Sequence, residues 1–128
     1  MQKGTLTIIT EIDGEKTQVE YAAQICLQGQ AVTLVYTDNE STVRIAYDNG
    51  LLQIARQGGY QMQLTLRQGE ITAGSLGIGA QSGEVAVHTQ KLTSKIKAGG
   101  WLCTAKYALI IGGQPQVTSV RMYAAVKE

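Results

Sequence analysis

Residues 31–69 read AVTLVYTDNESTVRIAYDNGLLQIARQGGYQMQLTLRQG, and within this stretch apolar and polar side chains alternate in short runs. Val32, Leu34 and Tyr36 share one phase, with Thr33, Val35 and Thr37 on the other. Val43, Ile45 and Tyr47 make the next row, Leu52, Ile54 and Arg56 another, and Met62, Leu64 and Leu66 the last, with Tyr60 ahead of it in phase. A period of two sets one face on a core and the other in water, the mark of a half-buried strand. Asn49-Gly50, Gly58-Gly59 and Gln68-Gly69 interrupt the rows. Such dipeptides supply the positive backbone angles that tight hairpins need.

The rhythm continues in both directions. Leu6, Ile8, Thr10 and Ile12 share a phase before Asp13-Gly14, although Ile9 breaks the wet face. Gln18 to Leu27 also fits a helical stripe, but its neighbours on both sides read as strands, and a meander rarely inserts one helix without longer linkers. Val85, Val87 and Thr89 oppose Glu84, Ala86, His88 and Gln90. Trp101, Cys103, Ala105, Tyr107 and Leu109 form a long row after Gly99-Gly100. After Gly112-Gly113, Val120, Met122, Ala124 and Val126 point inward, with Ser119, Arg121 and Tyr123 outside. The only proline, Pro115, is expected in the final turn region. Ile71 to Gly83 is diluted by Gly74, Gly77, Gly79 and Gly83, and reads as a short irregular strand and a mobile loop.

The expectation is an all-β chain of eight to ten strands forming one domain over residues 1–128. Short loops pair successive strands antiparallel. A twisted sheet of this many strands must close or split, because open edges invite aggregation. A closed antiparallel meander barrel is the simplest solution. A two-sheet β-sandwich is the alternative.

At 128 residues the chain can bury a real core without disulfides or metals. Eleven Lys and Arg against ten Asp and Glu leave a charge of +1. That balance argues against a nucleic-acid binder with a basic stripe and against a polybasic membrane patch. No run approaches the length of an apolar transmembrane helix, and the N-terminus lacks the features of a signal peptide. A cytoplasmic location follows, with Cys26 and Cys103 as reduced thiols. A monomer or weak homodimer is expected.

In order, Asp13-Gly14-Glu15, Tyr36 with Glu40-Ser41, and Thr42 to Gly58 ending in Arg56-Gln57-Gly58 resemble the YwiB-like proteins. Gly83 followed by Val85, Val87, Thr89 and Leu92, then Gly100, Tyr107 and Gly113, continue the match. That family consists of bacterial β-barrels grouped with the calycins, the lipocalin-like barrels. The resemblance runs from about Gly4 to Glu128 and departs over Gly74 to Ser82, where the family has an aromatic strand containing Thr-Pro. It implies a lipocalin-like barrel and no particular reaction.

Arg56 stands in phase with Leu52 and Ile54, so its guanidinium is directed inward. A buried charge needs an anion, here either the acidic group of a ligand or a neighbouring carboxylate such as Glu40. Tyr36, Tyr47, Tyr60, Tyr107 and Trp101 sit on inner rows, where they either fill the core or line a ligand pocket. His88, the only histidine, falls on the polar phase and Cys103 on the inner one, so the two do not form a nucleophilic pair. No cluster has metal spacing. Gly74 to Gly79 lacks the helix that a phosphate loop requires. With no catalytic residue and no cofactor in view, the leading expectation is a binding barrel for a small amphipathic or acidic ligand. A structural or protein-interaction module with a filled barrel comes second and an enzyme last.

Overall fold

Each apolar row becomes the inner face of a strand. The computed structural model describes residues 1–127, with the backbone alone at position 78; Glu128, the last residue of the expected domain, lies outside the described residues. The strands are β1 (Gln2–Ile12), β2 (Glu15–Gln28), β3 (Ala31–Asp38), β4 (Ser41–Asp48) and β5 (Leu51–Gln57). They continue as β6 (Gln61–Arg67), β7 (Ile71–Ile78), β8 (Gln81–Lys97), β9 (Gly100–Ile111) and β10 (Gln114–Val126). Every strand pairs antiparallel with the next, and β10 returns to β1 to close the barrel. Closure removes both sheet edges, which settles barrel over sandwich.

The closing seam runs from Gly4 opposite Val126 to Ile12 opposite Thr118. Gly4 is required there, since a Cβ at that position would lie 2.2 Å from the Ala125 carbonyl oxygen. Leu6, Ile25, Leu34, Ile45, Leu52, Leu64, Leu66 and Met122 are fully buried. Each contributes about 1.5–3 kcal/mol of transfer free energy. Together they fill the interior, so the core is a packed one and Arg56 lies at its end.

The expected irregular strand and mobile loop over Ile71 to Gly83 are replaced by regular structure. β7 and the start of β8 form a hairpin, with Gly79 at a φ of 61° in its turn. The glycines removed the apolar rhythm without removing the ladder, because Gly74 sits where a Cβ would lie 2.8 Å from the Gln63 carbonyl oxygen. Pro115 lies inside β10 opposite Ile110, ahead of the point where β10 meets β1, so its missing N–H falls on an open side. The segment Gln18 to Leu27 is strand throughout.

Strand lengths shape the ends. β8, β9, β10, β1 and β2 run longer than β3 to β7. β2 meets β3 only from Ala23 to Gln28, so Glu15 to Ala22 stand above the end of β3. One wall therefore overtops the other at the end bearing the Asn39–Glu40 and Gly58–Tyr60 turns. That end is the mouth.

Candidate functional site at the barrel mouth

Alternation carries Arg56 inward as expected, between Val43 on β4 and Met62 on β6. Its partner is Asp38 and not Glu40. Arg56 Nη2 donates to Asp38 Oδ2 at 3.1 Å. Asp38 ends β3 and is half-buried, whereas Glu40 is an exposed turn residue. The two turns are pressed together at Gly58, where a Cβ would lie 2.1 Å from the Glu40 carbonyl oxygen and where φ is 98°. That contact holds the ends of β3 and β5 side by side and brings Asp38 to Arg56.

The Arg56 side chain is only 15% exposed, and its Nε is buried with no hydrogen-bond partner among the described residues. A guanidinium carries five donors in a fixed fork. A single bond to Asp38 leaves most of that capacity open. The Tyr60 ring covers the guanidinium, with Cζ 4.6 Å from the ring centroid. Tyr60 belongs to the turn before β6 and is 40% exposed, so it is not the inner-row residue expected from its phase. It reaches the site by folding over Arg56 from outside.

Two more rings line the mouth. Tyr21 and Tyr36 pack with centroids 4.4 Å apart. Burial pushes the Tyr36 phenol up to about 12, helped by Tyr21 beside it. Burial, then the Asp38 charge, raises the Tyr21 phenol as well. Both hydroxyls stay protonated at neutral pH and can donate hydrogen bonds. Tyr21 and Asp38 escaped the sequence reading. Tyr21 fell in the run with the ambiguous period, and Asp38 stands just beyond the row that Tyr36 closes.

The other expected residues lie elsewhere. Tyr47 and Trp101 face each other at 6.4 Å between centroids, near the opposite end of the barrel. Trp101 Nε1 is satisfied there by Ser94 Oγ at 2.8 Å. Tyr107 is core, on β9, four strands around the ring from β5, and burial raises its phenol. Cys103 is buried, and burial alone pushes its thiol up to about 12, so it is poorly suited to act as a nucleophile. His88 is half-buried on the outer phase opposite Ala108. Both cysteines are free thiols. Among the described residues no group of His, Cys, Asp and Glu has the geometry to hold a metal.

A recess of about 170 Å³ opens beside Arg56, bounded by Ala55, Gln61, Met62, Gln63 and Ser75. Its lining of Ala55, Gln61, Gln63 and Ser75 is on the outward phase, so it opens on the outer side of β5–β7 over the stretch where β6 and β7 pair.

These features define a closed ten-strand meander barrel with a filled core and a compensated charge pair under a tyrosine-lined rim. Residues 3–122 match the profile of a domain of unknown function (DUF1934), and the chain belongs to that family. The crystal structure of the YwiB protein from Bacillus subtilis is similar to it, with a TM-score of 0.79 and 15% sequence identity over 99% of this chain and 93% of that one. The resemblance to YwiB-like proteins thus extends to the whole architecture. No curated protein matches the chain in sequence.

Proposed function

We propose that the barrel mouth binds a small amphipathic ligand whose acidic group reaches Arg56. The observation that carries this reading is an almost buried guanidinium with an unpartnered Nε, held by one carboxylate contact and covered by an aromatic ring. An acidic group on the ligand would exchange with Asp38 or add to the open donors, where charge-assisted hydrogen bonds are strong. Tyr21, Tyr36 and Tyr60 would then hold the apolar part and donate hydroxyls. The recess of about 170 Å³ is smaller than the usual small-molecule pocket of about 300–1,000 Å³. That recess also opens on the outer phase of β5–β7, so the ligand lies across the rim with its acidic head at Arg56. A cytoplasmic metabolite carrying a carboxylate fits this description.

The protein purified from cells and examined by native mass spectrometry should retain a small added mass. Arg56→Ala should abolish it and Arg56→Lys should restore it in part. If no mass is retained and no alkyl or aryl carboxylate shifts the melting temperature, the mouth is structural. The filled interior supports that second reading, in which the barrel is an interaction module working through its outer faces.

A further inference from the structure

The total charge of +1 conceals two oppositely charged regions. Residues 1–84 contain five Lys and Arg against nine Asp and Glu. Residues 85–127 contain Lys91, Lys95, Lys97, Lys106, Arg121 and Lys127 and no acidic residue. The ion pairs among the described residues are Arg56–Asp38 and Arg67–Glu70, and none of these six cations takes part.

The ladder gathers five of them on one surface. Along β8 a bulge between Thr89 and Lys91 resets the phase, so that Lys91, Lys95 and Lys97 are all exposed while Leu92 is buried. Lys106 of β9 stands directly opposite Lys91, and Arg121 of β10 stands opposite Thr104, one step along from Lys106. Lys95, Leu102 and Tyr123 form a row across β8, β9 and β10. Like charges placed directly opposite one another are destabilising. Neither Lys91 nor Lys106 has an ion-pair partner among the described residues, and the outward row they share reaches a carboxylate, Glu11, only two strands beyond Lys106.

Beside the charges lies an apolar hollow of about 350 Å³, formed by Leu102, Tyr123 and Ala125 with the stems of Lys95 and Lys97. Gly100 makes room for it by carrying no side chain. Tyr123 is 40% exposed and offers its ring at the border.

We infer that the outer face of β8–β10 binds a single-stranded nucleic acid. Its phosphates would lie along Lys91, Lys106, Arg121, Lys95 and Lys97, and one base would stack on Tyr123 over the hollow. Cations without internal partners are complementary to a polyphosphate chain. An exposed ring beside an apolar hollow is complementary to an unpaired base, and stacking of that kind needs no particular sequence. A duplex presents its bases already stacked and leaves the ring unused. The near-neutral total, read above against nucleic acid, averages this face with the acidic residues of the other strands. This inference is independent of the Arg56 site, which lies at the mouth on other strands.

The test is fluorescence anisotropy of a labelled twelve-residue oligouridylate with the full chain, over a range of salt concentrations. Binding should weaken with salt, and the slope of log K against log salt should be about −0.7 for each phosphate contacted. A double Lys95→Gln/Lys97→Gln variant should flatten that slope by about 1.4. Tyr123→Ala should lower affinity about tenfold with the slope unchanged, which a purely electrostatic surface would not do. Arg44→Gln, on an exposed strand position away from this face, serves as the control and should change neither. Unaltered melting temperatures will show that the variants are folded. Absence of binding at 50 mM salt would overturn the inference. So would equal affinity for duplex, for heparin or an acidic peptide, or for vesicles of anionic lipid, if Tyr123→Ala left it unmoved.

Discussion

The mouth and the outer face of β8–β10 handle charge in opposite ways. At the mouth Arg56 is nearly buried, and it comes with Asp38 at 3.1 Å. On the outer face five cations are exposed, and none takes part in an ion pair among the described residues. Burial forces compensation, because an unpaired charge out of water is very costly. Exposure removes that demand, because water and salt screen surface charge. The outer face therefore keeps its charge for a partner, whereas the mouth has already spent part of its own on Asp38.

The largest expected effect contrasts the interior and mouth with the solvated face through alkaline pH. Cys103 and Tyr36 titrate near 12 when folded, against about 9 and 10 for the ordinary groups. A raised acid pKa means that the native state holds its proton longer than the unfolded chain does. Stability is therefore fully present below pH 9 and is lost as pH rises toward 12. The loss should be on the order of 1.4 kcal/mol per pH unit for each group inside its window. Urea melts between pH 8 and 11 should show the midpoint falling. Cys103→Ala should remove the part that begins at pH 9, and a midpoint independent of pH would contradict the burial of both groups.

The next effect separates compensation from binding at the mouth. Asp38→Ala leaves Arg56 nearly buried without its counter-charge. Removing one partner from a fully buried pair costs 3–5 kcal/mol, and for this partly solvated pair about 2 kcal/mol is expected. Arg56→Met combined with Asp38→Ala should recover most of that loss, a coupling that a double-mutant cycle measures. Binding should move the other way. With Asp38 gone, an acidic ligand meets an uncompensated guanidinium, and its affinity should rise by about tenfold, or 1.4 kcal/mol. Stability and affinity falling together would mean that Asp38 positions Arg56 for the ligand instead of competing with it.

Much of the architecture was legible because one physical rule, alternation, governs most of the chain. Leu34, Ile45, Leu52, Leu64 and Met122 declared their faces without any knowledge of their neighbours. The rule failed where side chains were missing. Gly74 and Gly77 carry no Cβ to show a phase, so β7 looked irregular although its backbone pairs normally with β8. The mouth was legible only in part. The inward direction of Arg56 follows from local phase. Its pairing with Asp38 depends on two turns meeting, which Gly58 permits through a contact that no period encodes. Tyr60 shows the reverse case, since its phase was right for a strand that had not yet begun. The basic face was visible as a run of acid-free sequence, but a total charge erased it. Only the register, with Lys91 opposite Lys106, turned a composition into a surface.

That opposition yields the smallest predicted effect and the one that best separates the two regions. Lys91 and Lys106 face each other across neighbouring strands, where directly opposed like charges cost a few tenths of a kcal/mol. Lys106→Gln should therefore raise stability, by about 0.3 kcal/mol at low salt, with the gain vanishing as salt screens the pair. At the mouth the corresponding removal of a charge lowers stability, so the same class of substitution carries opposite signs in the two regions. The measurement is a pair of urea melts at 20 mM and 500 mM salt. A stability gain accompanied by weaker oligonucleotide binding would mean that the repulsion is maintained at a cost to the fold, as expected of a surface kept for an anionic partner. A stability loss at both salts would mean that Lys106 makes a favourable contact with its neighbours, and the outer face would then be as compensated as the mouth.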